Sequence, residues 1–362
     1  MKLNFMGDVM FAELLENLGS GLITSLERTA ADPFDPVKPL LHDADFNVVN
    51  LECVFSDTSI LEPPFDRILI SPERYLRFLT ANRINVVNTA NNHALDHGRE
   101  AFARSCDLVR DQGIAIIGYD RGVFFQEEPV VLTHGGRKLG LLGYNISNFP
   151  AEDREAMIER IVGVVREAGA ANDTLVVSIH WGEEYTNIPP AYVVRYGRRI
   201  LEAGCTIIHG HHSHQVQGVH GDGSRIFAPS LGNFIFDQKI RDNRPTAVLQ
   251  VEVGEAGLSH RSVPCYLNDR FQPVPAPHLQ AYLDELDTLL ASCLEDDSEC
   301  RFADRIAARV SAGHRSNRVR MRMRMLARFW NYLPHVRQIM EFRRSERKIY
   351  SVIDSLDSLP RN

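Results

Sequence analysis

Residues 207–219, IIHGHHSHQVQGV, place His209, His211, His212 and His214 within six positions, directly after the apolar run 205–208. Packing seldom needs four imidazoles so close together. Such a tract can be a metal site, a tag-like run or a polar loop. The three differ in whether residues elsewhere in the chain could complete a coordination shell. Working outward from this stretch therefore means locating strands and asking what stands at their ends.

Short β-branched runs at 2–6, 45–51, 85–89, 114–117, 139–142, Thr174–His180 and 205–209 read as strands. Amphipathic patterns at 72–82, 98–112, 151–168 and 191–203 read as helices between them. That alternation predicts crossover units and a largely parallel, buried sheet, hence an α/β fold. From 225 to 266 only strand patterns remain, in RIFAPS, AVLQVEV and HRSVPCYL, expected as antiparallel additions forming a second sheet. The prolines at 273, 275 and 277 then punctuate the chain, and the sequence beyond His278 reads as helical. Neither a Walker loop nor a Gly-rich dinucleotide fingerprint occurs.

Ligands of α/β sheets bind outside the carboxyl ends of the strands. The first strand runs into Gly7-Asp8 and the second into Asn50-Leu51-Glu52. The next runs into Asn91-Asn92-His93, and two later ones end at His180-Trp181-Gly182 and at the histidine cluster. Five strands thus deliver a carboxylate, an amide or an imidazole to one edge. Asp8 and Glu52 offer hard anionic oxygen, the Asn92 side chain a neutral oxygen, and His180 with two of the clustered histidines nitrogen. A mixed N/O set without thiolates suits Mn, Fe or Zn better than Ca or Mg and argues against a structural zinc. Two divalent ions against two carboxylates leave surplus positive charge, which acidifies a bridging water and attracts an anionic substrate.

The ordered motifs GDVM, NLE, ANNHALDHG, HWGEEY, GHHSHQVQG and SLGNFIFD resemble those of the CapA family of capsule and poly-γ-glutamate synthesis proteins, within the calcineurin-like metallophosphoesterase superfamily. The resemblance covers roughly residues 1–265. It implies a four-layer α/β/β/α sandwich with a dinuclear site between the sheet edges, here followed by a C-terminal helical extension. By motif, Asp8, Glu52, Asn92, His180, His212 and His214 correspond to metal ligands, with His211 as the alternative to His212. His93 corresponds to the proton donor or transition-state stabiliser. Asn50, His211, Asp96, Glu184 and Asn233 stand where they could ligate or support ligands. His209 is expected simply to end its strand. The superfamily's Asp-x-His start would place a histidine at position 10, where this chain has Met10; the CapA pattern generally lacks it too, so one of the two ions is expected to be weakly held.

The chain has 362 residues, 44% of them apolar and 24% charged, within the range of globular proteins. The start, MKLNFMGDVMF, reads as neither signal peptide nor anchor, and no apolar run spans a bilayer, so a cytoplasmic location is expected, peripheral to the membrane at most. Six scattered cysteines without CxxC spacing are expected to be reduced, Cys293–Cys300 being the one pair placed to bridge. The net charge of −7 conceals an asymmetry: residues 301–348 carry 14 Lys/Arg against three acids, about +11, leaving about −18 elsewhere. With the resemblance, this predicts a CapA-like metallophosphoesterase domain over 1–270 and an Arg-rich helical extension over 278–362 that packs on the acidic body or meets an anionic surface. Nucleic acid is not expected, since no recognised module accompanies the charge; no oligomeric state is implied. The leading expectation is a phosphoester hydrolase with a metal-activated water, acting on an anionic small molecule or polymer in capsule-like or envelope polymer synthesis. Metal-assisted chemistry on γ-glutamyl amides and a non-catalytic assembly subunit are the alternatives.

Overall fold

A computed structural model describes residues 1–14, 17, 19–57 and 69–296. Among these, strands β1 (Lys2–Val9), β2 (Phe46–Leu51), β3 (Val54–Phe55), β4 (Ile70–Ser71), β5 (Ile84–Asn88), β6 (Ala115–Ile117), β7 (Val130–His134) and β8 (Arg137–Asn145) occupy the first half. The second half adds β9 (Thr174–His180), β10 (Ile207–His211), β11 (His220–Gly221), β12 (Ile226–Ala228), β13 (Asn233–Ile235), β14 (Pro245–Val253), β15 (Leu258–Leu267) and β16 (Pro273–Pro275). The α-helices are α1 (Leu22–Thr29), α2 (Lys38–His42), α3 (Leu76–Ala81), α4 (Gly98–Asp111), α5 (Ala151–Ala171), α6 (Ala191–Glu202) and α7 (Gln280–Glu295).

Two sheets form. One runs β16-β15-β14-β1-β2-β5-β6 with β13 beside β1, and the other runs β11-β12-β10-β9-β8-β7. Strand alternation distributes most of the apolar side chains over three main cores. Leu3, Phe5, Val48 and Val86 from the first sheet meet Leu139, Leu141, Val176 and Ile207 from the second. The opposite face of the first sheet, with Met6, Val49 and Val87, packs on Leu22, Leu79 and Phe102 of the helices α1, α3 and α4. The outer face of the second, with Leu142, Val177 and Ile208, packs on Ile161, Val165, Val194 and Leu290 of α5, α6 and α7. Helices therefore flank two facing sheets, the four-layer α/β/β/α order.

Two expectations need correction. The late strands do not build a second sheet of their own: β14 pairs antiparallel with β1, and β15 and β16 continue the first sheet in antiparallel succession, whereas Ile226–Ala228 joins the second sheet parallel to β10. Period-two alternation reports burial and carries no information about which of two sheets a strand enters. Nor does His209 end its strand, which continues to His211; His209 lies inside it and its Nε2 sits 2.8 Å from the Met6 carbonyl of the facing sheet. At the start of the C-terminal extension, α7 lies against the second sheet's helices, with Leu290 and Cys293 in their core and the Val219 N–H donating to Asp287 Oδ1 at 2.6 Å. The rest of the extension, and with it Cys300 and the Cys293–Cys300 pairing, lies outside the described residues.

Candidate metal centre

The inner faces of both sheets turn from apolar to polar at their carboxyl ends. On β2 the inward series is Val48, Asn50, Glu52, and on β5 it is Val86, Asn88. On β9 it is Val176, Ser178, His180, and on β10 it is Ile207, His209, His211, with the last two paired across from Ser178 and His180. β1 needs a special device. Its register shifts between Phe5 and Asp8, so Asp8 follows Phe5 onto the inner face although the two are three residues apart. Gly7 makes this feasible, because a Cβ there would lie 1.8 Å from the Gly232 carbonyl oxygen. Gly210 has the same role on β10, where a Cβ would meet the Pro229 oxygen at 1.9 Å.

Asp8, Glu52 and His214, all buried, bring one ligand atom each to within 4.8 Å of one another. Asn50 Nδ2 donates to both carboxylates, to Asp8 Oδ1 at 2.9 Å and Glu52 Oε1 at 3.0 Å. His214 Nδ1 lies 3.5 Å from Asp8 Oδ2 and 2.9 Å from Asn233 Oδ1. Asn233 is in turn oriented by donating its Nδ2 to Gln238 Oε1 at 3.0 Å. His211 Nδ1 stands 3.3 Å from Asp8 Oδ1. Against this half lies a second, in which His180 Nε2 is 2.8 Å from Asn92 Oδ1 and the His212 ring centroid is 4.6 Å from that of His180. His180 Nδ1 reaches Glu52 Oε1 at 3.4 Å, so Glu52 borders both halves. His93 stands at the rim. Asp96 Oδ2 accepts from its Nδ1 at 2.8 Å, and its Nε2 lies 3.0 Å from Asn92 Nδ2.

Charge is tightly balanced here. Burial opposes ionisation of Asp8, but the His211 and His214 imidazoles beside it hold its carboxyl well below the usual range. Burial and then the charge of Asp8 push Glu52 well above it. His214 is buried, which disfavours its charge, yet the adjacent Asp8 carboxylate and the Glu52 charge raise it to about 9. Burial lowers His212 to about 4 and keeps His180 well below the ordinary imidazole value. Glu184, half-buried, acts on Glu52, His212 and His214 through its charge.

Whether these residues fit divalent ions is tested by their unmet bonding. Asp8 Oδ2, Glu52 Oε2, His211 Nδ1 and His212 Nδ1 are buried without a hydrogen bond. An unmet buried polar atom costs about 1–3 kcal/mol, so four converging at one edge need a common explanation. Two carboxylates, an amide oxygen and four imidazoles form a donor set that divalent Mn, Fe or Zn ions would satisfy. His212 and His214 also hold left-handed backbone, with φ of 93° and 56°, strain of the kind that gathers at ligand sites. The two histidines expected as a pair are thus divided, His214 with Asp8 and Glu52, His212 with His180. Met10, directly after β1, is fully buried in the outer core. Asp96 touches His93 and not the carboxylates. Sequence reading missed Asn88, Ser178 and Gln238; continuing the period-two count of each strand to its end would have found the first two.

What fold and site define is a two-sheet α/β protein with a buried carboxylate–imidazole centre at its strand ends. Residues 2–238 match the family described as bacterial capsule synthesis protein PGA_cap, and the chain belongs to that family. It is 26% identical over 285 residues to the PGA biosynthesis protein CapA of Bacillus subtilis (strain 168), covering 76% of this chain and 73% of the relative. It is 23% identical over 278 residues to the capsule biosynthesis protein CapA of Bacillus anthracis, covering 72% of this chain and 65% of the relative. Among solved structures, the purple acid phosphatase PPD1 of yellow lupin (Lupinus luteus) is similar at 10% sequence identity, with a TM-score of 0.30 over 72% of this chain and 51% of that one. Among the described residues no helix is long and apolar enough to cross a membrane.

Proposed function

We propose that the chain is a metal-dependent hydrolase of phosphoester type that acts on an anionic small molecule or polymer in capsule or envelope polymer synthesis. The observation carrying this reading is the convergence of Asp8, Glu52 and His214 with four buried, unmet ligand atoms. Asp8, Glu52 and His214 would hold one divalent ion, and Asn92, His180 and His212 a second, with Glu52 bordering both. Such ions supply the positive charge that polarises a phosphoryl oxygen and acidifies water.

The remaining work falls to this chain's own groups. Asn50 holds both carboxylates in place through one amide nitrogen. Asn233 aims the His214 ring, and Asp96 fixes the His93 ring so that Nε2 faces the reacting edge. His93, its Nδ1 held by Asp96 and its Nε2 beside the Asn92 amide, is the group placed to assist the departing oxygen. A second reading, hydrolysis of γ-glutamyl amides at the same centre, is favoured by the likeness to the Bacillus subtilis relative, a PGA biosynthesis protein.

A panel of p-nitrophenyl phosphate, bis-p-nitrophenyl phosphate and γ-glutamyl peptides, run on protein reloaded with Mn, Fe or Zn after chelation, tests the proposal. Turnover of phosphoesters that chelation abolishes and reloading restores is the expected result. Metal binding with turnover of amides alone would transfer the case to the second reading. Binding of no metal, with no turnover, would leave the assembly-subunit role.

A further inference from the structure

The His211 side chain is placed where its role can be derived from hydrogen-bond wiring alone. The chain of reasoning starts at the Met6 carbonyl, 2.8 Å from His209 Nε2. A carbonyl can only accept, so His209 carries its proton on Nε2. Buried between apolar strands, the His209 ring is neutral, and its Nδ1 is a lone pair. Ser178 Oγ lies 3.4 Å from that Nδ1 and 3.0 Å from His211 Nε2. A hydroxyl has one proton to give. Spent on His209 Nδ1, it leaves Ser178 accepting from His211 Nε2–H. The Nδ1 of His211 is then also a lone pair, buried, without a hydrogen bond, and 3.3 Å from Asp8 Oδ1.

Two acceptors facing each other in a buried space repel unless a cation stands between them, a proton in the metal-free chain or a metal ion in its place. The opposite wiring, with Ser178 donating to His211, would turn the lone pair of His209 Nδ1 toward the hydroxyl oxygen instead. It would strand that nitrogen deep between the sheets.

We propose that His211 is a metal ligand through Nδ1, joining Asp8, Glu52 and His214, and that Ser178 and His209 are positioning residues that set its tautomer. This rests on the metal reading above. It also supplies from β10 an imidazole that β1 does not, since Met10 is packed into the outer core.

The test is equilibrium binding of Zn2+ to the chelated, full-length chain, by calorimetry with a competing chelator. In H211Q the amide can reach the Ser178 hydroxyl but offers nothing at the Nδ1 position, whereas in H211N the side-chain oxygen falls close to where Nδ1 stood. At least a tenfold loss of Zn2+ affinity in H211Q, with H211N recovering most of it, is the expected pattern. Wild-type affinity in H211Q, or an equal loss in both variants, overturns the assignment. A wild-type chain that binds no Zn2+ would instead overturn the metal reading itself. If either variant fails to fold, long-range 1H–15N spectra of histidine-labelled wild type decide the matter. Zn2+ must shift the Nδ1 resonance of His211 while its Nε2 keeps its proton; a shift at Nε2, or at neither nitrogen, sinks the proposal.

Discussion

Asp8→Asn separates the metal centre from the fold that carries it. Asp8 is fully buried, and its Oδ2 has no hydrogen bond, so a metal ion is the partner that atom is shaped for. Asparagine keeps the shape and keeps an oxygen for Asn50 Nδ2, now 2.9 Å from Asp8 Oδ1. It removes the anion. Ligand at a hundred times its Kd stabilises a fold by about 2.7 kcal/mol. At roughly 2.1 cal/mol/K per residue, about 300 folded residues unfold with an entropy near 0.6 kcal/mol/K, which converts that gain to about 4 °C in Tm. Wild-type protein stripped with chelator and titrated with Mn2+ or Zn2+ should therefore gain about that much in scanning calorimetry. Asp8→Asn, at the same metal concentration, should gain less than about 1 °C, as follows if its Kd is a hundredfold weaker. Without metal the variant should melt close to wild type, because Glu52 is freed from the Asp8 charge while His214 loses its partner. A full metal-dependent shift in Asp8→Asn, or none in wild type, would refute the reasoning.

Four further outcomes follow from the same geometry. His93→Gln should retain the metal-dependent rise in Tm yet lose about 10²–10⁴ in kcat, and Asp96→Asn should lose less, because it only loosens the His93 ring. Metal binding should release protons, since Glu52 is raised well above its usual value and His214 to about 9; affinity then climbs with pH up to about 9, and calorimetry in two buffers of different ionisation enthalpy counts the protons. Asp237, raised by burial to about 8 from 3.8, binds more protons folded than unfolded, so its contribution to stability is full below about pH 4 and is lost as pH rises to about 8, on the order of 5 kcal/mol. Denaturant titrations of Asp237→Asn across that window should show a flatter profile than wild type, and an unchanged slope would contradict the assignment. Gly210→Ala should destabilise by about 3 kcal/mol in urea unfolding, because its methyl group would meet the Pro229 oxygen.

How much of this could be read from the sequence depends on the kind of signal. Thr174–His180 is a strand with the bounds expected of it, because a largely apolar, β-branched run closed by His-Trp-Gly has one reading. The site edge was legible for a similar reason: polar residues placed just beyond apolar runs break the composition sharply. Sheet membership was not legible, since Ile226–Ala228 and Pro245–Val253 alternate alike yet enter different sheets. The inward turn of Asp8 was hidden too. Counting by twos from Phe5 points Asp8 at the helices, and only the register shift at Gly7 brings it to the inner face. Gln238 was invisible because its partners, Asn233 and Asn243, meet it across a loop and leave no periodic trace.

The distribution of cost within the fold bears on why the centre takes this form. Unmet buried acceptors and left-handed histidines are destabilising, and here they share one edge with a pair of buried carboxylates. The strands that present them are held where adjustment is least available. Gly7 backs onto the Gly232 carbonyl and Gly210 onto that of Pro229, so neither β1 nor β10 can shift to relieve Asp8 or His211. His209 ties the two sheets together one step below, through Met6. A centre free to relax would turn Asp8 toward a backbone donor or rotate His211 away from it. Rigid strands prevent both, so the unmet bonding persists in the folded chain, and a divalent cation relieves it without moving the backbone.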